Sequence, residues 1–203
     1  MPVYLFTDLE SSTRLWEHHP DKMTSALARH DAILRDAIAD AGGVLVKSTG
    51  DGLLAAFETP RNAVDTALAA QRALVSEEWP TPEPLRVRMG VHVGEGELRD
   101  GDYFGPAVNR AARIMDAAHG GQVLLSADVA AVVSTSLPDG ATLTDLGIHR
   151  LKDLILPERL FRMFSGFFLL GEARAAPIFV DAVAVVATLT FFGTLVWAGR
   201  DLL

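Results

Sequence analysis

The order of apolar and polar segments predicts an α+β protein: a ferredoxin-like β-α-β-β-α-β core with a C-terminal α/β extension, then a hydrophobic helix. Three observations predict it. Val44–Phe57 is two apolar runs around Thr49-Gly50-Asp51-Gly52, a β-hairpin pattern, because glycine admits the positive φ angles of tight turns. Stretches with apolar residues every three or four positions lie before and after it, as amphipathic helices do. Leu85–Gly94 alternates polar and apolar residues, the pattern of a strand with one wet face.

Val3-Tyr4-Leu5-Phe6-Thr7-Asp8 is an apolar strand ending in a carboxylate. Ser11, Ser12 and Thr13 offer helix N-caps, and Leu15, Trp16, Met23, Leu27, His30, Ile33, Leu34 and Ile38 recur at helical spacing. Pro20 splits this run into a short turn and a helix reaching about Ala41, ended by Gly42-Gly43. His18, His19 and His30 lack metal-site spacing and read as surface or satisfied side chains. After the hairpin, Thr59-Pro60 opens a second helix with a stripe of Ala63, Ala67, Ala70, Ala73 and Leu74. Trp79–Pro84 is a loop, and Leu98–Tyr103 reads as a short turn around Gly101. Asn109–Ala118 is a helix, Gln122–Ser126 a buried strand and Ala127–Ser134 a helix. Thr142–Leu146, His149–Leu151 and Arg159–Phe164 read as strands.

The 203 residues are 49% hydrophobic, enough for a sizeable core, and carry a net charge of −8 with no Lys/Arg run. That balance argues against nucleic acid as a partner. With no cysteine there is no disulfide, thiolate catalysis or zinc–thiolate site. No basic segment followed by an apolar one opens the chain, so a secretory signal peptide is not expected.

Asp8 and Asp51 stand at the ends of two strands, as turn aspartates or as a divalent-cation pair. Two carboxylates brought together raise each other's pKa unless a cation lies between them, and hard oxygen ligands suit Mg²⁺ or Mn²⁺ carrying phosphates. Four ordered motifs decide between these readings. Phe6-Thr7-Asp8-Leu9-Glu10-Ser11-Ser12-Thr13, Lys47-Ser48-Thr49-Gly50-Asp51, Asp102-Tyr103-Phe104-Gly105-Pro106-Ala107-Val108-Asn109-Arg110-Ala111-Ala112-Arg113 and His149-Arg150-Leu151-Lys152-Asp153-Leu154 resemble successive segments of the class III adenylyl/guanylyl cyclase catalytic domain. The resemblance covers roughly residues 1–164.

It implies a signalling enzyme that cyclises ATP to 3′,5′-cyclic AMP and pyrophosphate, a phosphorus–oxygen lyase. By the same resemblance Asp8, Asp51 and the backbone carbonyl of Leu9 hold two Mg²⁺ or Mn²⁺ ions. Lys47 and Asp102 read the base, Asn109 orients the ribose, Arg113 meets the α-phosphate and Lys152 holds the β- and γ-phosphates. The chemistry agrees: Arg presents a planar fork to phosphoryl oxygens, and Asn109 and Arg113, four residues apart, share one helical face. Lys47 can donate to adenine N1, and Asp102 can accept from the 6-amino group, whereas guanine reverses that pattern. The family also implies a homodimer with active sites between the subunits. Alternatives are a guanylate cyclase or a nucleotide-binding regulatory relative. A diguanylate cyclase is disfavoured, because its Gly-Gly-[Asp/Glu]-Glu-Phe hairpin is replaced here by Thr49-Gly50-Asp51-Gly52. Two departures stand out. Ser11 occupies a position where many relatives have Gly, tolerable if its φ is negative, and the turn before Asp102 leaves room only for a short dimerisation arm.

The composition shifts after Phe164. Ala182–Ala198 is an uncharged run of 17 residues, the short end of what spans a bilayer. Arg150, Lys152, Arg159, Arg162 and Arg174 precede it, against Arg200 after it, so the positive-inside bias places the catalytic domain in the cytoplasm. The expected division is a catalytic domain at 1–164, a linker at 165–176, a transmembrane helix at 177–199 and a tail at 200–203, with the membrane as a partner. The competing reading of that helix is burial on the domain or in a dimer.

Overall fold

The computed structural model describes residues 1–165. The expected linker, hydrophobic helix and tail lie outside the described residues. Among the described residues nine strands and five helices make a mixed α+β fold, as expected. They are β1 (Val3–Leu9), α1 (Ser12–His18), α2 (Pro20–Asp40), β2 (Val44–Ser48), β3 (Leu53–Phe57), α3 (Pro60–Ser76) and β4 (Val87–Val93), then β5 (Glu97–Arg99), β6 (Asp102–Phe104), α4 (Pro106–Asp116), β7 (Val123–Ser126), α5 (Ala127–Val133), β8 (Ala141–His149) and β9 (Glu158–Ser165).

Seven strands form one sheet in the order β2-β3-β1-β4-β7-β9-β8, and β5-β6 stand apart as a two-stranded ribbon. The first four strands pair antiparallel in the order 2-3-1-4, the arrangement a β-α-β-β-α-β chain makes when its helices share one face. β7 joins β4 in parallel after the α4 crossover. β1 lies inside the sheet with both faces covered, so its apolar run is nearly continuous instead of alternating. Val3, Leu5 and Leu9 join a large core with residues of α2, α3 and α5. On the other face Tyr4 and Phe6 pack with Leu54, Ala56 and the α4 residues Ala107, Val108, Ala111 and Met115. Gly90 of β4 lets α4 approach: a Cβ there would lie 2.3 Å from Met115 N.

The caps fall partly as expected. Thr59 Oγ1 accepts from Asn62 N at 3.2 Å, with Pro60 in the first turn of α3. Pro20 likewise opens α2. Ser11 departs from expectation. Its φ is +58°, in the left-handed region, and its side chain caps nothing. The backbone turns there in a conformation that glycine adopts freely, and serine bears the cost of its Cβ.

Three other expectations are corrected. Leu98–Tyr103 is not a simple turn but part of the β5-β6 hairpin, whose two-residue loop Asp100-Gly101 has φ of +50° and +81°, the type I′ signature. β8 continues through His149 past a bulge between Asp145 and Gly147, so His149–Leu151 is no separate strand. Leu151–Leu154 is a turn instead, closed by Leu154 N donating to Leu151 O at 3.3 Å. Third, α4 begins at Pro106 and ends at Asp116, earlier at both ends than expected, because Pro suits a first turn. His30 is fully buried and bonded to Asp31 at 2.9 Å, satisfied at one ring nitrogen.

Candidate active site

The hairpin of β2 and β3 brings Asp51 to Asp8. Leu53 N donates to Thr7 Oγ1 at 2.9 Å, and Gly52 passes so close to β1 that a Cβ would lie 2.0 Å from Thr7 O. Asp51, one residue earlier, therefore stands beside the end of β1. Burial raises the Asp8 pKa above the usual carboxylate range, and the neighbouring Asp51 adds to the rise. Arg88 opposes it, lying directly opposite Asp8 in the β1–β4 register. Its Nε and Nη2 donate to Asp8 Oδ2 at 2.8 and 2.5 Å, and its Nη1 to Asp116 O at 3.3 Å. The Leu9 side chain is in the core, which leaves only its backbone carbonyl for a ligand role.

This donor set fits a hard divalent cation. Two carboxylates in mutual repulsion, next to a backbone carbonyl, are oxygen ligands short of positive charge. Among the described residues no group of three or more His, Cys, Asp or Glu side chains converges. The side chains thus offer two ligands, and the rest of a coordination shell falls to backbone, water or phosphate oxygens.

A second group forms where β6 meets β2. Lys47 Nζ donates to Asp102 Oδ2 at 2.6 Å, and Asp102 Oδ1 accepts from Tyr103 N at 2.8 Å. The Lys47 contact, chiefly, holds the Asp102 carboxyl below its usual range. Two features of the fold place this pair. A bulge between Leu45 and Lys47 shifts the β2–β3 register, so Lys47 lies opposite Leu54 on the α4 side of the sheet. Tyr103 packs edge-on against Tyr4 with ring centroids 5.3 Å apart, which seats β6 beside β1. Burial pushes the Tyr4 hydroxyl up to about 12.

The third group lies along α4. Asn109 is exposed, and Arg113 one turn later is half-buried on the same helix. Arg113 Nη1 donates to Asp116 Oδ2 and Nη2 to Asp153 Oδ2, both at 2.8 Å. Lys152, exposed beside Asp153, makes no ion pair or hydrogen bond among the described residues. Asp116 links this group to the first, since its carbonyl accepts from Arg88. No hydrogen bond or ion pair joins Lys47–Asp102 to either one among the described residues.

The sequence reading missed Arg88, Asp116 and Asp153. Arg88 had a signal: it occupies a polar position in an alternating strand otherwise read as merely wet. Asp116 and Asp153 had none, because a carboxylate in a helix end or a turn is the common case.

A sequence model of the adenylate and guanylate cyclase catalytic domain matches residues 3–155. An uncharacterised protein of Mycobacterium tuberculosis is 42% identical over 161 residues, 78% of this chain and 54% of that protein. The adenylate cyclase of Schizosaccharomyces pombe is 32% identical over 180 residues, covering 74% of this chain and 11% of that one. The chain thus spans about half the length of the first relative and a small part of the second. A solved structure of Trypanosoma brucei adenylate cyclases in their monomeric state superposes with a TM-score of 0.74 at 30% identity, covering 80% of this chain and 89% of that one.

Proposed function

The chain belongs to the family of adenylate and guanylate cyclase catalytic domains, and from that premise we propose that it converts ATP to 3′,5′-cyclic AMP and pyrophosphate. The observation that carries the choice of ATP is the Lys47–Asp102 pair, a cationic donor held 2.6 Å from an anionic acceptor. Adenine offers the complement, N1 as acceptor and the 6-amino group as donor. Guanine would set its O6 against a carboxylate, and sites built from hydrogen-bonding groups reject such mismatches strongly.

In the reaction the ribose 3′-oxygen attacks the α-phosphorus, the bond to the bridging oxygen of pyrophosphate breaks, and the 3′-hydroxyl proton leaves to solvent. Asp8, Asp51 and the Leu9 carbonyl would hold two Mg²⁺ or Mn²⁺ ions, which supply electrostatic stabilisation of the reacting triphosphate. Asn109 holds the ribose. Arg113 donates to the α-phosphate oxygens as their charge grows, and Lys152 pairs with the outer phosphates. Arg88, bonded to Asp8 Oδ2, offsets part of the negative charge of the Asp8–Asp51 pair.

Two copies would assemble with two-fold symmetry. The carboxylates of one copy would then meet Lys47, Asp102, Asn109, Arg113 and Lys152 of the other. Residues 177–199 would anchor the chain to the cell membrane with the catalytic domain in the cytoplasm; among the described residues no helix is long and apolar enough to cross a membrane. Sedimentation of the full chain with membranes, against a fragment ending at Ser165 in the supernatant, supports the anchor. Full chain in the supernatant without detergent rejects it.

The assay that tests the activity supplies purified protein with ATP or GTP and Mg²⁺ or Mn²⁺, and quantifies cyclic AMP, cyclic GMP and pyrophosphate. Cyclic AMP with equimolar pyrophosphate is the expected result. Cyclic GMP as the main product would overturn the base assignment, and no cyclic product would overturn the enzyme assignment.

A further inference from the structure

Arg113 spends both terminal nitrogens on carboxylates of its own chain, and the two carboxylates are not equivalent. Asp116 sits three residues further along α4 and travels with Arg113. Asp153 comes from forty residues away, on the Leu151–Leu154 turn, and its side chain is 62% exposed against 32% for Arg113. That turn is clamped onto α4 by apolar contact, with Leu151 packed in a cluster with Ile114 and Ala118, and Leu154 against it. Asp153 itself has a φ of +61°, a left-handed conformation that a non-glycine residue adopts at a cost. The fold therefore presents this carboxylate to Nη2 of Arg113, beside Lys152.

A guanidinium recognises a phosphate through two parallel N–H bonds from one edge of its fork. With Nη1 on Asp116 and Nη2 on Asp153, each edge of the Arg113 fork has a terminal nitrogen already engaged. Nη2 keeps a second N–H, but the N–H that Asp153 holds reaches a phosphoryl oxygen only as Asp153 lets go, and a carboxylate left at that distance repels the incoming anion. Asp116, three residues along the same helix, stays near Arg113 whatever the Leu151–Leu154 turn does.

We propose that Asp153 is a displaceable internal rival of the substrate phosphate for Arg113: it orients the guanidinium and weakens nucleotide binding, because its ion pair with Arg113 must be displaced. This rests on the reading above, in which Arg113 meets the α-phosphate. It makes Asp153 a positioning residue that sets affinity, not a group that touches the reacting atoms.

The test is calorimetric titration of the full chain with 3′-deoxy-ATP and Mn²⁺, a pair that cannot cyclise. Asp153→Asn keeps the hydrogen-bond acceptor and tolerates the left-handed turn while losing the charge. Exposed ion pairs are weak, so the analogue should bind roughly 1.5- to 5-fold more tightly to this variant than to the wild-type chain. The gain should shrink as salt is raised, and with ATP it should appear in KM more than in kcat. Asp153→Gly, which suits a φ of +61° without strain, should show the same gain and guards against a folding defect in the first variant. Wild-type binding with equal or weaker affinity in both folded variants would overturn the proposal alone. No binding by the wild-type chain would overturn the nucleotide site and this inference together.

Discussion

Lys47 Nζ lies 2.6 Å from Asp102 Oδ2, bridging an edge strand of the main sheet and the β5-β6 ribbon. The pair is partly exposed, with 40% and 28% of the two side chains accessible, so an incoming base can reach it. Each residue is the other's partner, and changing one leaves the other's charge uncompensated.

Specificity should therefore follow the pair and not either residue alone. Lys47→Glu with Asp102→Cys should lower cyclic AMP formation and raise relative use of GTP, read as the ratio of kcat/KM for the two nucleotides. Each single variant should lose ATP use without gaining GTP use. An unchanged ratio in the double variant would remove both residues from the base pocket.

Asp51→Ala should cut cyclisation by about 10²–10³ or more, the scale for losing one preorganised electrostatic group. Its circular dichroism should stay unchanged, because Asp51 is a half-buried tip residue that no core contact needs. Gly52→Ala should act in the opposite way and harm folding itself, since its Cβ would lie 2.0 Å from Thr7 O. Full activity in Asp51→Ala would sink the metal-ligand assignment.

Gly90→Ala should push α4 off the sheet. The new Cβ would lie 2.3 Å from Met115 N and 2.8 Å from Ala111 O, backbone atoms that cannot rotate away. Overpacking of this kind costs about 1–3 kcal/mol. Thermal denaturation should shift down by roughly 2–4 °C per kcal/mol for a chain of this size. Activity at low temperature should also fall, because α4 carries Asn109 and Arg113.

Stability should fall in mild acid through His92. Burial chiefly, with help from Arg110, lowers its pKa from 6.5 to about 4. The unfolded chain then binds the extra proton between those values, so the full stability is present above pH 6.5 and is lost as pH falls toward 4. A shift of that size corresponds to about 3 kcal/mol. His30, also lowered by burial, acts in the same direction. Denaturant melts from pH 7 to 4 should show the slope, and His92→Gln should flatten it. An equal slope in that variant would assign the effect elsewhere.

Assembly can be read by complementation. Asp8→Ala and Arg113→Ala should each be inactive, one lacking a carboxylate and the other the arginine. In a mixed dimer one site collects both lesions and the other neither. Random exchange makes half the dimers mixed with one of two sites intact, so about a quarter of wild-type activity should return. Activity that stays at zero, with exchange verified by a labelled subunit, would point to a site within one chain or to a missing heteromeric partner.

By itself the sequence determined most of the elements, though not the β5-β6 hairpin or the extent of β8, together with the Thr49–Gly52 turn that carries Asp51, the Pro-started helices and the four cyclase-like motifs. These are local properties: a period of two or of 3.6 residues, and residues that fit a particular turn, act within a few positions of themselves. What lay beyond it was set by partners far along the chain. Strict alternation from Leu45 would have turned Lys47 toward the large core; only the β2 bulge, imposed by pairing with β3, turns it toward Asp102. Arg88 became part of the site because the β1–β4 register sets it opposite Asp8, eighty residues away. Asp153 reached Arg113 because Leu151 found a place against Ile114. Ser11 took a left-handed φ although nothing in its own side chain asks for one, because the chain between β1 and α1 turns there. Register, bulges and cross-strand ion pairs are relations between segments, and the tertiary structure alone decides them, since their energies exist only once the segments have met.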